Sequence, residues 1–537
     1  MTSTVPPKRV QEAAVSVDAP PPVSGGGGFF GHPKGLSTLF FTEMWERFSY
    51  YGLRPLLILF MTAALAEGGF GFERTQASAI VGIYAASVYL ASLPGGWIAD
   101  RLLGLRRAIL LGAALISAGH ISIGFSAFLG GRVPFFLGLV LIVMGTGLLK
   151  PNISAIVGDL YPEGGARRDA GFSVFYMGIN LGAFAGQLVT GILGERVGWH
   201  FGFGAAGVGM LIGLITFATR ARGTLGTLGL ETTKHPDPVV HARQTSRAKL
   251  ALAIGLAALA LVVVLAGAGV ITLDAAAIAQ NMTYVLVGLG LAYFAYVFTA
   301  GGLTSDERKR VVVILVLFVF SAIFWSAFEQ APTSLNLFAR DFTDRQLGGW
   351  EIPATWFQSV NSGFIIVFAP VFAGLWVWLA RRGVDISSPA KFSLGLLFAG
   401  AGFCLMIFAA NAVVASGGTI KVSPWWLVAS YFFQTIGELC LSPVGLSSMT
   451  KLSPRRYVGQ MMGIWFLATA VGNLIAGLVG GHVDPEDLTQ MPKLFTTTTL
   501  SLVISAAVLG LLVVPIRRMM ARASAPEVAG RQASPAS

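Results

Sequence analysis

Long apolar stretches separated by short polar ones dominate the pattern of this chain. Fourteen of them approach the roughly 20 mostly apolar residues that a helix needs to cross a bilayer. Six precede a polar, proline-bearing stretch at 224–246, two follow it, and six more complete the series. The pattern predicts an all-α polytopic membrane protein. The predicted spans are 37–66, 76–99, 107–130, 133–158, 172–195, 200–221, 248–272, 279–301, 310–339, 354–381, 391–411, 424–449, 459–480 and 493–516.

Composition and charge support a membrane location. Only 12% of the 537 residues are charged and 54% are apolar, against about 25% charged in an average soluble domain. These figures exclude an ordinary soluble enzyme and a disordered chain. With the N-terminus placed inside, 27 of the 37 Lys and Arg residues fall on inside segments, 7 outside and 3 within spans. This bias places both termini in the cytoplasm and explains the net charge of +11 without a nucleic-acid partner.

The order of six, two and six spans predicts two six-helix halves. Transporters built from two parallel six-helix halves have both chain termini on the same side of the membrane, as predicted here. The two extra spans carry almost no charge, which predicts an inserted, lipid-facing hairpin outside any pathway. Residues 1–35 lack the continuous apolar core of a signal peptide. The predicted units are a flexible cytoplasmic tail at 1–35, an N-terminal bundle at 36–222, a cytoplasmic linker at 223–247, the hairpin at 248–301, a C-terminal bundle at 302–516 and a tail at 517–537.

Five polar residues share one face of the first span. Glu43, Glu46, Arg47, Tyr50 and Arg54 recur at helical spacing. An ionisable group at mid-membrane costs about 2.5–3.5 kcal/mol even on an insertion scale, so this face is expected to line a cavity. The alternative is a salt bridge that holds helices together at the cytoplasmic end, but the five residues extend over three turns.

Three further ionisable residues lie inside predicted spans: Lys150, Glu329 and Glu438. Across all spans four acids then face three bases, and the set balances when one acid is protonated. A carboxyl that exchanges a proton while its partner base re-pairs suits a proton-coupled switch, although the count does not say which acid holds the proton. Cys404 and Cys440 lie in apolar runs and predict neither a disulfide nor a metal site.

Four motifs occur in order along the chain. They are Glu43-x-x-Glu46-Arg47-Phe48-x-Tyr50-Tyr51-Gly52, Gly95-Gly96-x-x-Ala99-Asp100-Arg101-x-x-Gly104, Phe175-Tyr176-Met177-x-Ile179-Asn180-x-Gly182 and Gly437-Glu438-x-x-x-Ser442-Pro443-Val444-Gly445. Together they resemble the proton-coupled oligopeptide transporter family of the major facilitator superfamily, over about residues 36–516. The resemblance implies the major facilitator fold, with 12 core helices in two bundles. Bacterial members of the family carry two further helices inserted between the bundles, as predicted here.

The resemblance also implies roles for individual residues. Proton coupling would involve Glu43, Glu46, Arg47 and Glu329. Lys150 with Glu438 would close the cytoplasmic side, and Arg54 with Glu329 and Arg74 with Asp341 the outer side. Peptide binding would involve Arg47, Tyr50, Tyr51, Tyr89, Lys150, Asn180, Trp325, Glu329, Asn361, Glu438, Ser442 and Trp465. For Tyr89, Trp325 or Trp465, packing between helices is the alternative interpretation.

The sequence departs from the family in two places. Animal members use a histidine on the second helix for proton handling, and residues 76–99 contain none. Some bacterial relatives carry two adjacent acids on the seventh core helix, whereas here Phe328 precedes Glu329. Carboxylates are therefore expected to handle the proton, with one acid on that helix.

These observations predict a symporter that imports di- and tripeptides with protons, and not an enzyme. The proton gradient would supply the energy, with no cofactor or metal, in the lipid bilayer of a bacterial inner membrane, and the protein would function as a monomer. A carrier of nitrate or another small anion is an alternative, because the charges would tolerate one. A peptide receptor would need a large output domain, and a membrane enzyme a catalytic cluster that the six scattered histidines do not supply.

Overall fold

The computed structural model describes residues 28–523, except 127, 129, 130, 163, 164, 234–236, 273 and 385. Helices dominate the described chain. They are α1 (Lys34–Thr62), α2 (Arg74–Ile98), α3 (Leu105–Gly124), α4 (Arg132–Asp159), α5 (Gly165–Ile192), α6 (Trp199–Leu225), α7 (Pro238–Gly267), α8 (Ala275–Thr299), α9 (Ser305–Phe328), α10 (Asn336–Phe342), α11 (Trp356–Arg381), α12 (Ser388–Ala415), α13 (Trp425–Leu452), α14 (Val458–Gly480) and α15 (Gln490–Ala523). Two short antiparallel strands, β1 (Gln346–Leu347) and β2 (Trp350–Glu351), form a hairpin.

The predicted all-α membrane architecture is confirmed. A wide turn at Ala331–Leu335 joins α9 to α10, so these two helices form one span. Among the described residues, thirteen segments are long and apolar enough to cross a membrane. The remaining long helix, α1, does not meet that measure because Glu43, Glu46, Arg47 and Arg54 lie within it.

Two halves, α1–α6 and α9–α15, meet along two seams. The first seam joins α2 to α14 and the second joins α5 to α11. Within the α2–α14 seam the backbones touch, because a Cβ on Gly477 would lie only 2.7 Å from the Cα of Gly82. We call the end of the bundle that carries β1 and β2 the hairpin end. The opposite end, where α1 begins and α15 ends, is the terminal end.

The inserted helices differ from each other in packing. Side chains of α7 are exposed along most of its length. In contrast, α8 buries Ala279, Leu286 and Phe294 and packs against both α2 and α14. The expectation of a lipid-facing pair therefore describes α7, whereas α8 covers the α2–α14 seam and touches both halves.

Helical structure extends into both ends of the linker predicted at 223–247. Helix α6 continues to Leu225 and α7 already begins at Pro238. The Asp237 carboxylate accepts a hydrogen bond from the Val239 N–H (2.8 Å), and Pro238 occupies a first-turn position where its missing N–H costs nothing. Part of the predicted tail at 517–537 is also helical, since α15 extends to Ala523. The predicted tail regions 1–27 and 524–537 lie outside the described residues.

Candidate functional site

A buried ion cluster occupies the middle of α1. The Arg47 Nε atom lies 3.1 Å from Glu43 Oε1 and also contacts Glu46 Oε2, and none of the three side chains is more than 3% exposed. The guanidinium carbons of Arg47 and Arg54 lie 5.2 and 5.5 Å from the centre of the Tyr50 ring. The polar stripe predicted on the first span is therefore one connected network, and each carboxylate depends on the same arginine.

Two ion pairs join the halves toward the hairpin end. Arg54 of α1 pairs with Glu329 at the end of α9, and both side chains are at most 7% exposed. At the start of α2, Arg74 Nη1 lies 2.5 Å from Asp341 Oδ2 of α10 and donates to the carbonyl of Val483 (2.8 Å). These are the pairs that the sequence resemblance implies for the outer side. Because their partners belong to different halves, they join the two halves at the hairpin end.

The third implied pair is not formed in this conformation. Lys150 and Glu438, both described by the structure, do not lie within 4.0 Å of each other. Instead, Lys150 Nζ lies 4.3 Å from the centre of the Tyr89 ring. Glu438 Oε2 accepts a hydrogen bond from Asn361 Nδ2 (3.3 Å), which also donates to Thr435 Oγ1 (2.9 Å). Helix α4 runs through Pro151 to Asp159, so Lys150 lies inside the helix, as predicted.

One face of α5 becomes more exposed toward the terminal end. Tyr176, Asn180 and Gln187 lie on one face of α5. On one side of this face Gly186 packs on α1, and on the other side Gly191 packs on the start of α11. Exposure along this face rises from 4% at Gln187 and 6% at Asn180 to 43% at Tyr176. Exposure along this face of α5 therefore increases from the middle of the molecule toward the terminal end.

The other predicted binding residues differ in whether they have a polar atom available to a ligand. Trp325 Nε1 and Ser442 Oγ are buried and have no hydrogen-bond partner among the described residues, which leaves each with a polar atom for a ligand. The ring of Tyr51 packs against that of Tyr50 (5.1 Å between centres) beside the ion cluster. By contrast, Trp465 packs on Gly445 and within 6.3 Å of the Phe392 ring, so contacts between helices account for its present position.

The profile of the POT family matches residues 106–494 of the chain. The chain belongs to the POT family. Over 500 residues this POT-family chain is 50% identical to the peptide transporter YePEPT of Yersinia enterocolitica, covering 92% of the chain and 97% of YePEPT. It is 36% identical over 457 residues to the di-/tripeptide transporter of Lactococcus lactis subsp. cremoris, covering 83% of the chain and 89% of that transporter.

Solved structures of POT transporters share its fold. A crystal structure of a peptide transporter POT in complex with sulfate superposes with a TM-score of 0.82 at 41% identity, covering 92% of this chain and 97% of that one. A POT family transporter in complex with 5-aminolevulinic acid also gives 0.82, at 35% identity and with coverage of 91% and 98%. The major facilitator arrangement of two bundles is therefore the fold of this POT-family protein.

Sequence reasoning missed two groups of residues. Gln187 of α5 and Gln358 of α11 are buried, and each has an amide atom without a partner in the described structure; their polarity inside apolar spans was an available signal. Glu195, Arg345 and Thr355 form a contact between the halves that no local pattern indicates. Glu195 is the last residue of a predicted span and reads as a charge at a span end, because its partners lie about 150 residues further along the chain.

Proposed function

We propose that this POT-family protein is a proton-coupled symporter that imports di- and tripeptides by alternating access. The substrate class is supported by relatives named as a peptide transporter and a di-/tripeptide transporter. The bias of Lys and Arg supports both termini in the cytoplasm, and relatives from bacteria support a bacterial plasma membrane. In that orientation the terminal end faces the cytoplasm and the hairpin end faces outward.

The observation that carries the proposal is the presence of opposite buried charges on the two halves, which ion pairs join at the hairpin end. Lys150 and Arg47 belong to the first half, and Glu438 belongs to the second. Every di- or tripeptide carries an anionic carboxylate at one end and a cationic amine at the other. A peptide bound between the halves would place its carboxylate toward Arg47 and Lys150 and its amine toward Glu438 or Glu329, where charge-assisted hydrogen bonds are strongest.

The peptide backbone would be bound by amide side chains on both halves. Asn180 and Asn361 can each donate and accept a hydrogen bond, and Asn361 already orients the Glu438 carboxylate. Backbone groups are common to all short peptides. A site of this kind therefore reads the two termini and the amide bond and leaves the side chains to apolar pockets.

Proton coupling would depend on carboxylates whose basic partner can change. Glu43 and Glu46 share Arg47, so a proton taken up by either carboxylate would change which of the two the guanidinium pairs with. Glu329 is the second candidate. Protonation of Glu329 would release Arg54 and weaken the closed hairpin end, which links proton binding to opening on the outer side.

Uptake into proteoliposomes tests the proposal. With an inward-directed proton gradient, we expect concentrative uptake of labelled dialanine. Glu46→Gln should abolish accumulation but retain exchange of labelled for unlabelled dialanine, because the binding poles remain. Glu67→Gln is the matched control, since that carboxylate is exposed outside the cavity. Absence of accumulation, or unchanged accumulation in Glu46→Gln, would refute proton coupling.

A competition series tests the substrate class separately. Unlabelled dipeptides and tripeptides should displace labelled dialanine, whereas tetrapeptides and nitrate should not. A tetrapeptide is too long to place both termini at the two poles, and nitrate lacks the amine. Displacement by nitrate together with failure of tripeptides would contradict a peptide site and favour a small-anion carrier.

A further inference from the structure

A carboxylate just after α5 binds the two residues that immediately precede α11. Glu195 Oε2 accepts a hydrogen bond from the Ala354 N–H (2.8 Å). Glu195 Oε1 accepts from the Thr355 N–H (2.9 Å) and from the Thr355 hydroxyl (2.8 Å). One side chain of the first half thus caps the N-terminus of a helix in the second half, where the helix dipole favours a negative charge.

Charged residues of the second half complete this contact. Arg345 Nη1 lies 3.8 Å from Glu195 Oε2, and the two side chains are 10% and 11% exposed. The same guanidinium pairs with Glu351 Oε1 (2.7 Å) in β2 and donates to the Ile352 carbonyl (2.6 Å). We call the group Glu195, Arg345, Glu351, Ala354 and Thr355 the Glu195 latch.

Side chains at the start of α11 pack directly on the α5 backbone beneath the latch. A Cβ on Gly191 would lie 2.0 Å from Thr355 Oγ1, so position 191 has no room for a side chain while Thr355 occupies this place. Trp356 Nε1 donates to the Leu188 carbonyl (2.9 Å). Four hydrogen bonds cross the α5–α11 seam here, three to Glu195 and one from Trp356. The halves cannot separate at this place without breaking all four.

The latch is placed opposite the ion pairs already described. Arg74 and Asp341 tie α2 to α10 beside the α2–α14 seam, and Arg54 with Glu329 lies between the seams. The latch occupies the remaining flank of the hairpin end. We propose that Glu195 is an additional outer gate residue, which closes the α5–α11 flank and must release α11 before the hairpin end can open. This inference rests on the alternating-access mechanism proposed above.

An accessibility assay tests the latch directly. In a cysteine-free background (Cys404→Ala, Cys440→Ala), the reporter is Ser359→Cys, which is 4% exposed on α11 one turn below Thr355. A membrane-impermeant maleimide is added outside intact cells. Glu195→Ala should raise the labelling rate at least about tenfold, since three hydrogen bonds to a charged group are lost. Glu67→Ala removes an exposed carboxylate and should leave the rate unchanged.

A second variant keeps the test valid if Glu195→Ala folds poorly. Thr355→Val retains the shape of the side chain but removes the hydroxyl donor, and it should raise labelling by a smaller factor. If the two residues act together, the double variant should label no faster than Glu195→Ala alone. Equal labelling in Glu195→Ala, Thr355→Val and Glu67→Ala would overturn the latch.

The assay separates this inference from the proposed function, because the reporter needs no substrate. Faster labelling in Glu195→Ala supports the latch whether or not dialanine changes the rate. If Glu195→Ala labels faster but proteoliposomes show no concentrative uptake of dialanine and no competition by peptides, the peptide assignment fails and the latch stands.

Discussion

The two ends of the bundle use the same kinds of residue in opposite states. At the hairpin end, Arg54 pairs with Glu329 and Arg74 with Asp341, across the halves. Toward the terminal end, Lys150 lies on an aromatic ring and Glu438 on an amide. A closed end therefore satisfies its charges with each other, whereas an open end leaves them on weaker neutral partners. A zwitterionic ligand could replace those partners, which relates gating to binding.

The largest expected effect comes from removing one charge at each end. Arg54→Ala leaves Glu329 buried without its partner, and breaking a buried ion pair in this way costs about 3–5 kcal/mol. Lys150 has no acidic group within 4.0 Å in this conformation, and the contact with the Tyr89 ring that Lys150→Ala removes is worth about 0.5–2 kcal/mol. The thermal unfolding midpoint of the purified protein should therefore fall further for Arg54→Ala than for Lys150→Ala.

A double variant controls this prediction. Arg54→Ala with Glu329→Gln removes both charges, so it should recover most of the midpoint lost in Arg54→Ala. An equal fall of the unfolding midpoint in Arg54→Ala and Lys150→Ala would contradict the difference in charge pairing between the two ends.

Much of the fold and the centre of the site could be predicted from the sequence. Apolar stretches of the right length predict the spans, and the stripe on α1 predicts a buried cluster because charges inside a span need partners. The state of each pair could not be predicted. Lys150 and Glu438 have the residue types for a salt bridge, but whether they meet depends on how the halves are tilted. The Glu195 latch was missed for a related reason, since only the folded chain brings α5 to the start of α11.

Packing of the α2–α14 seam should give the next largest effect. A methyl group on Gly477 would lie 2.7 Å from the Gly82 Cα and 2.9 Å from the Ser78 carbonyl oxygen, and overpacking of this kind costs about 1–3 kcal/mol. Gly477→Ala should therefore force the hairpin end apart and raise labelling of the Ser359→Cys reporter.

A second glycine on the same helix is the matched control. Gly463 lies toward the terminal end of α14, where an added Cβ would be 3.4 Å from a Leu93 methyl group, an ordinary contact. Gly463→Ala should leave labelling unchanged. An equal increase in both variants would show that the seam does not hold the hairpin end more tightly than the terminal end.

A neutral hydrogen bond across the halves should have a smaller effect than either. Asn336 Nδ2 of α10 donates to the Pro55 carbonyl of α1 (2.8 Å), and such a bond contributes about 0.5–1.5 kcal/mol. Asn336→Leu should increase reporter labelling by less than Arg54→Ala does. As a control, Asn473→Leu removes a bond from Asn473 to Thr469 of its own helix (2.9 Å), which does not cross the halves. A larger increase of reporter labelling in Asn473→Leu than in Asn336→Leu would contradict this ranking.

The smallest effect is expected at the exposed edge of the latch. Arg196 Nη1 lies 3.4 Å from Glu351 Oε2, with the two side chains 35% and 31% exposed, and Arg196 also donates to the Glu351 carbonyl. Because water and salt screen such a pair, it contributes about 0.2–1 kcal/mol, so Arg196→Ala should raise reporter labelling by at most about fivefold. Raising the salt concentration should remove part of that difference but leave the effect of Glu195→Ala, whose partners are buried. If Arg196→Ala raised the labelling rate as much as Glu195→Ala at both low and high salt, the β1–β2 hairpin as a whole would close this flank. The contact of Glu195 with the start of α11 would then not be the deciding one.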